Sequence, residues 1–124
     1  MGHGVDERAR ASARERLDHV GSAGVATMLQ ALATPSRLLI LARLVEGPCS
    51  ASDLATAAGM ERSACSHQLR LLKNLGLVVA ERHGRSMVYA LYDNHVAELL
   101  DQAIYHVEHL KLGLPDAEDP ATTE

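Results

Sequence analysis

The sequence predicts a mainly α-helical fold that carries one β-hairpin. The 124-residue chain contains three Tyr and no Phe or Trp, so its core must come from aliphatic residues and Met. Apolar residues recur at helical spacing in several segments that Gly or Pro separate, while residues 77–91 change to β-favouring residues around a glycine. This length suits one domain with a modest core.

Two helices are expected at the start of the ordered part. The first covers residues 25–32, where apolar side chains recur at i, i+3, i+4 and i+7. Thr34 is a good N-cap and Pro35 suits the first turn, so a second helix is predicted over residues 36–46, ended by Gly47 and Pro48.

A helix–turn–helix follows. Ser50 or Ser52 can cap a short helix over residues 53–58, and a turn at residues 59–62 leads to a second helix over residues 63–75. A helix in this position can enter the major groove of DNA. Its polar residues could instead form an ordinary solvated face, but the motif favours DNA contact by Ser63, Ser66, His67, Gln68 and Arg70.

The hairpin completes the architecture. Strands are predicted over residues 77–81 and 86–91, joined by a turn at residues 82–85 in which Gly84 can take a positive φ. Its tip carries Arg82 and Arg85, which could reach a phosphate strand or a minor groove. The expected fold class is therefore a winged helix–turn–helix.

The last helix, over residues 94–112, begins and ends with metal-binding residue types: Asp93, His95, His106 and His109. The eleven residues from His95 to His106 span about 16 Å, too far for one ion with bonds of about 2.0–2.2 Å. Two antiparallel copies of the helix could instead form two mixed sites. The spacing therefore predicts metal binding together with a homodimer through the terminal helices.

The same helix is expected to bury its apolar residues against the core and against its symmetry mate: Val96, Leu99, Leu100, Ala103, Val107 and Leu110. A plainer interpretation remains for the polar residues. Two His at i, i+3 are often surface residues, and Asp93 could simply cap the helix.

Charge is unevenly distributed along a chain of net charge −4. Residues 21–92 contain seven basic and four acidic residues, whereas residues 93–124 contain one basic and eight acidic residues. The first segment favours a phosphate backbone and the second favours cations.

Three regions are expected. Residues 1–20 are predicted to be a flexible arm with at most a partial helix over residues 8–18, residues 21–112 the DNA-binding and dimerisation domain, and residues 113–124 a disordered acidic tail. No signal peptide or membrane span is visible, which predicts a cytoplasmic protein without a membrane partner. Cys49 and Cys65 form no CxxC pair, as expected in a reducing compartment.

Enzyme activity is not expected. The sequence contains no Gly-rich phosphate loop and no Ser/His/Asp constellation, and a metal between two packed helices leaves little room for a small organic substrate. A dimer that buffers metal without binding DNA is an alternative, but it would need neither a recognition helix nor a basic wing.

The chain resembles the ArsR/SmtB family of metal-responsive winged-helix repressors. The similarity lies in Ala31–Arg37 (ALATPSR), Ser66–Arg70 (SHQLR), Asn74–Val78 (NLGLV) and Gly84–Arg85, and extends over about residues 25–112. This resemblance implies a metal-free dimer that binds operator DNA and a sensor site at Asp93, His95, His106 and His109. In other members of the family, cysteine thiolates bind metal near the positions of Ser50 and Ser52. Because both residues are serine here, a thiolate site is not expected.

The number of donor atoms at the site determines which metal is expected. The four helix residues suffice for tetrahedral Zn²⁺. If Met1 is removed, the α-amine of Gly2 and the imidazole of His3 would make six donors, which suits Ni²⁺ or Co²⁺. We therefore expect a repressor that Ni²⁺ or Co²⁺ releases from the promoter of a metal-efflux gene, with a Zn²⁺-responsive repressor as the alternative.

Overall fold

The computed structural model describes residues 12–112. The chain divides into two compact units, residues 1–38 and 39–124. The division falls within a helix, between residues 38 and 39. Among the described residues, no single helix has the length and apolar character to cross a membrane, although a pair bent by 81° passes that test when its two helices are counted together.

Among the described residues, the first unit contains two helical segments and the beginning of a third. Helix α1 covers residues 12–20 and α2 covers Ser22–Ala31. Gly21, with φ 96°, separates them and donates a backbone hydrogen bond of 2.8 Å to the Leu17 carbonyl. The helix at residues 12–20 lies in the segment expected to form an arm and continues two residues beyond the partial helix predicted there.

Helix α3 (Pro35–Val45) begins as the sequence predicts. The Thr34 hydroxyl accepts a hydrogen bond of 3.2 Å from the Arg37 backbone N–H, so Thr34 satisfies one of the free donors of the first turn. The Arg37 guanidinium also donates to the Ala31 carbonyl, at 3.3 Å. The prediction of a capped helix here is confirmed.

The second unit contains the helix–turn–helix. Helix α4 (Ala51–Ala58) is capped by the Ser50 hydroxyl, which accepts from the Asp53 N–H at 3.2 Å. Gly59 ends it with φ 65°, a left-handed conformation that a glycine adopts without steric cost. Helix α5 covers Arg62–Asn74 and packs against α4. The predicted motif is confirmed, with helix bounds shifted by one or two residues.

Three strands form the sheet, one more than predicted. Strands β1 (Cys49–Ser50), β2 (Val78–His83) and β3 (Ser86–Leu91) lie antiparallel in the order β1-β3-β2. The hairpin turn is shorter than predicted, because His83 pairs with Ser86 and leaves only two residues between the strands. Arg82 was expected in the turn, but it lies on β2 opposite Met87.

The core of the second unit is aliphatic. Its largest fully buried side chains come from α3, α4, α5 and β2: Ile40, Leu41, Leu54, Cys65, Leu69, Leu72 and Val78. Burial of each large aliphatic side chain contributes about 1.5–3 kcal/mol. The core thus fixes α5 from one side and leaves its opposite face in solvent.

Helix α6 (His95–Lys111) ends the described chain. Only Val96 is buried, while Leu99 is 44%, Val107 50% and Leu110 60% exposed. The chain's own core therefore does not cover these last three side chains. Their burial against a second copy stays a prediction.

Candidate functional site

The exposed face of α5 is the first part of the candidate site. Cys65, Leu69 and Leu72 are buried on one side of this helix. At about 100° per residue, Ser63, His67 and Arg70 lie on the opposite side, and all three are exposed. The buried residues therefore orient this polar face outward, as a DNA-reading helix requires.

The other two predicted DNA contacts on α5, Ser66 and Gln68, are less exposed than these three residues. Ser66 is half-buried and lies at the border of the exposed face. Gln68 is also half-buried and lies about 140° around the helix from Ser63, toward the core. The structure therefore groups four of the five predicted α5 residues and separates Gln68 from them.

The hairpin forms the second part. Arg82 on β2 and Arg85 in the turn are both exposed. Near them, His83 Nε2 lies 3.4 Å from Glu81 Oε1 on the same strand. The hairpin therefore presents two arginines to solvent, together with a histidine whose nearest charged partner is a carboxylate.

An open cleft of about 220 Å³ joins α5 to the hairpin. Arg62 and Ser66 of α5 line it together with Arg85 and Ser86 of the hairpin. Ser50, Ala51, Ser52, Met87 and Tyr89 complete the lining. Sequence reasoning missed Arg62, although it is the only basic residue in the turn predicted at residues 59–62.

Asp93 and His95 form a contact pair at the start of α6. His95 Nδ1 lies 3.0 Å from Asp93 Oδ2, and the backbone N–H of His95 donates a 3.0 Å hydrogen bond to Asp93 Oδ1. The His95 side chain is 82% exposed. An oxygen and a nitrogen this close can both bind one ion at bond lengths of about 2.0–2.2 Å. The pair fits half of a metal site.

His106 and His109 lie one turn apart near the other end of α6. His106 is exposed, and the ring of the half-buried His109 lies tilted by 33° beside the Tyr105 ring, with centroids 6.2 Å apart. Within residues 12–112, no three metal-binding side chains come together in the single chain. This agrees with the expected separation of the two pairs. Gly2 and His3 lie outside the described residues.

The two histidine positions share one border of the apolar stripe on α6. At about 100° per residue, His95 and His106 lie within about 20° of each other. Measured from His95, Leu99 lies at about 40° around the helix and Leu110 at about 60°. Any surface that covers the stripe would therefore also approach the candidate metal-binding residues.

The cysteines belong to the core. Cys49 and Cys65 are free thiols, and both are buried. Burial raises the pKa of the Cys65 thiol, with a smaller contribution from Cys49. Cys65 therefore packs in the core as a small apolar residue. Ser50 and Ser52, which stand where the resemblance places thiolate sites, have hydroxyl oxygens 3.4 Å apart.

A helix–turn–helix followed by a basic hairpin defines the class: this is a winged helix–turn–helix DNA-binding protein. The chain belongs to the ArsR family of bacterial regulatory proteins, whose family model matches residues 34–79. It is 66% identical over 116 residues to the HTH-type transcriptional regulator NmtR of Mycobacterium tuberculosis, a match that covers 94% of this chain and 95% of that one.

Solved structures agree with this assignment. The solution structure of apo-NmtR matches with a TM-score of 0.63 and 68% identity, covering 77% of this chain and 80% of that chain. A homodimeric winged helix–turn–helix DNA-binding domain from Mycobacterium bovis matches with a TM-score of 0.70 and 31% identity, covering 81% and 92%. The predicted fold class, family and role in transcription regulation are confirmed.

Proposed function

We propose that this regulator is a repressor that binds operator DNA as a metal-free homodimer and leaves it on binding Ni²⁺ or Co²⁺, which allows transcription of a metal-efflux gene. The observation that carries the proposal is the division of four metal-binding side chains into two pairs, Asp93–His95 and His106–His109, at opposite ends of one exposed helix. The 66% identity to NmtR supports it.

The apolar face of α6 supports the homodimer. Exposed apolar side chains extend along much of the helix, with Ile104 46%, Val107 50% and Leu110 60% exposed. Contiguous apolar surface of this kind is characteristic of protein interfaces. The related Mycobacterium bovis domain is described as homodimeric. We infer that a second copy of α6 covers this face.

An antiparallel arrangement of the two helices would complete the metal site. Asp93 and His95 of one protomer would then face the partner's His106 and the partner's His109, and the symmetry would give two equal sites. The donor set of imidazole nitrogens and a carboxylate oxygen fits Ni²⁺, Co²⁺ and Zn²⁺. Because each site takes ligands from both protomers, metal binding would depend on the relative orientation of the two protomers.

That dependence provides the regulation. Recognition helices of a dimer must lie about 34–36 Å apart to enter successive major grooves. A metal-bound interface that favours another spacing would weaken operator binding. Coupling of this kind is typically about 1–3 kcal/mol, or roughly 5- to 150-fold in affinity. By linkage, operator DNA would weaken metal binding by the same factor.

The choice among metals depends on two residues near the N-terminus. With Gly2 and His3, six donors are available, a number that octahedral Ni²⁺ and Co²⁺ use and tetrahedral Zn²⁺ does not. Without them, the four α6 side chains suit Zn²⁺, which is the second candidate effector. We place the protein in the cytoplasm, with its promoter DNA, and assign it no catalytic role.

The test is a fluorescence-anisotropy titration of the tag-free protein onto its own promoter DNA, first without metal and then with Ni²⁺, Co²⁺ and Zn²⁺ in turn. Release by Ni²⁺ and Co²⁺, with a weaker effect of Zn²⁺, would support the six-donor sensor. Release by Zn²⁺ alone would favour the four-donor site. Metal binding without any DNA binding would favour a metal buffer and would overturn the repressor.

The contribution of the N-terminus has its own control. A His3→Ala variant and an N-terminally acetylated form should bind Ni²⁺ more weakly than the native form, with fewer nitrogen donors in the X-ray absorption spectrum. Equal affinity and an equal coordination number in all three forms would remove Gly2 and His3 from the site.

A further inference from the structure

We propose that the cleft between α5 and the hairpin binds one backbone phosphate of the operator, held between the guanidinium groups of Arg62 and Arg85. This inference rests on the proposed function, since it assumes that the protein binds DNA. It adds a site that the sequence does not indicate, because Arg62 and Arg85 lie 23 positions apart in the chain.

The lining of the cleft has the chemistry of an anion site. Two arginines and four serines line it, and no carboxylate does. Arginine presents a planar fork of N–H donors that matches two phosphate oxygens at once, and each serine hydroxyl can donate a further hydrogen bond. The chemical complement of this lining is a phosphate group rather than a cation or an apolar ligand.

Both guanidinium groups are available to a ligand. Across the described part of the chain, neither Arg62 nor Arg85 forms a salt bridge with a carboxylate. By contrast, Arg43 lies 3.9 Å from Glu46. A phosphate entering the cleft would therefore find two positive charges that no carboxylate of residues 12–112 neutralises.

The start of α4 adds polar donors to the same cleft. The Ser50 oxygen accepts the capping hydrogen bond from the Asp53 N–H, so its own O–H remains a donor. Ser52 lies beside it, with the two hydroxyl oxygens 3.4 Å apart. Both residues line the cleft, where the positive end of the α4 dipole also favours an anion.

The cleft has a suitable size. Its volume of about 220 Å³ is far above the roughly 10–15 Å³ that holds one water molecule. This leaves room for a phosphodiester group with a few waters. An open cleft also allows the strand to enter and leave along its length.

A phosphate in this position would connect the hairpin to the recognition helix. Arg62 is the first residue of α5, and Arg85 lies in the hairpin turn. When both hold one phosphate, the hairpin is fixed relative to the helix that reads the bases. Arg85 would then position α5 on the duplex instead of reading sequence by itself.

Shared binding of one phosphate makes a quantitative prediction. Arg62→Ala and Arg85→Ala should each weaken operator binding by about tenfold, as expected for loss of a charged hydrogen bond. The double variant should bind more tightly than the product of the two losses predicts, because the second arginine cannot hold the phosphate alone. Its logarithmic salt slope should fall by about one unit rather than two.

The matched control is Lys73→Ala, a basic residue near the other end of α5 that does not line the cleft. In the Lys73→Ala and Arg85→Ala double variant, the fold-loss in operator affinity should equal the product of the two single losses. Multiplicative losses for the Arg62 and Arg85 pair, or a salt slope lowered by two units, would overturn the shared site.

Neutral DNA gives an independent measurement. Operators that carry a single methylphosphonate, moved one position at a time, should include one position per half-site at which wild type, Arg62→Ala and Arg85→Ala bind equally well. If no position removes both effects together, the two arginines do not share a phosphate.

A last comparison distinguishes DNA phosphate from a free anion. Inorganic phosphate is titrated into the DNA-free protein while the backbone amide NMR signals of Ser50, Ser52 and Asp53 are followed. Weak shifts that operator DNA displaces support the proposal. Tight phosphate binding, with unchanged operator affinity in Arg62→Ala, would assign the cleft to a free anion and overturn it while the proposed repressor stands. Absence of DNA binding by wild type would instead overturn the proposed function.

Discussion

The Asp93 carboxylate contacts His95 through both of its oxygens: Oδ2 lies 3.0 Å from the imidazole Nδ1, and Oδ1 accepts a 3.0 Å hydrogen bond from the backbone N–H. The second contact satisfies one of the free N–H groups at the start of α6. Asp93 therefore serves the helix and the candidate metal site together. Its position is restricted before any ligand arrives, which lowers the entropy cost of binding.

Loss of a predicted metal ligand should separate sensing from DNA binding. His106→Ala and Asp93→Ala should keep metal-free operator affinity within about threefold, because His106 lies on α6 and Asp93 just before it, and neither belongs to α5 or the hairpin. Metal should release neither variant from DNA. Isothermal calorimetry and the anisotropy titration measure both properties.

Asp101→Ala is the matched control for Asp93→Ala, since Asp101 is an exposed carboxylate on α6 that lies away from the histidines. It should respond to metal like the wild type. A normal metal response in His106→Ala would remove this residue from the site.

Substitution on the reading face should have the opposite effect. Arg70→Ala should weaken operator binding by about tenfold or more while metal affinity measured without DNA stays unchanged, since Arg70 is exposed on α5. Arg70→Lys tests whether charge alone suffices. An unchanged operator affinity in Arg70→Ala would show that this arginine contacts neither base nor phosphate.

The apolar face of α6 should control assembly. Leu110→Glu places a charge on a residue that is 60% exposed in the single chain, so the fold should persist while the dimer dissociates. Analytical ultracentrifugation should find monomer at micromolar concentration, with loss of operator binding. A Glu108→Ala control on the opposite side of α6 should remain dimeric, and a dimeric Leu110→Glu protein would place the interface elsewhere.

The Thr34 cap should contribute measurably to stability. Thr34→Ala removes the acceptor of the 3.2 Å hydrogen bond from the Arg37 N–H, and a lost N-cap typically costs about 0.5–2 kcal/mol of unfolding free energy. Urea denaturation of the metal-free protein at one fixed concentration gives the value. Thr34→Ser keeps the hydroxyl and should recover most of the loss, whereas equal losses would assign the effect to the methyl group.

The buried Cys65 thiol should react slowly and make stability depend on pH. Because its pKa is raised on folding by burial first and Cys49 second, the native state holds the proton more tightly than the unfolded state. The contribution of this thiol to the free energy of unfolding is fully present below the thiol pKa of the unfolded state. It is lost as pH rises through the pKa of the folded state. The free energy of unfolding, measured by urea denaturation, should therefore fall as pH rises above the ordinary thiol pKa. The fall should be less steep in Cys65→Ala.

A redox role for this thiol makes a different prediction. The buried, protonated thiol should resist mild peroxide, since the thiolate is the reactive form. Operator binding should remain unchanged after treatment. Loss of binding that Cys65→Ala prevents would instead indicate a redox switch.

The helices could be predicted because their signals are local. Thr34 and Ser50 cap α3 and α4 through hydrogen bonds to N–H groups three residues away, so short stretches of sequence contain both partners. Gly59 and Gly84 mark positions where the backbone turns with positive φ. Strand β1 could not be predicted, because two residues carry no periodicity and pair only with the distant β3.

The sequence by itself determined the fold class, the helix–turn–helix and the candidate metal-binding residues, since spacing along a helix fixes which side chains share a face. Only the tertiary structure decided which polar residues come together. It turned Gln68 toward the core, placed Arg82 on a strand and brought Arg62 and Arg85 to one cleft. These relationships depend on packing between elements distant in the chain, and local sequence contains no information about that packing.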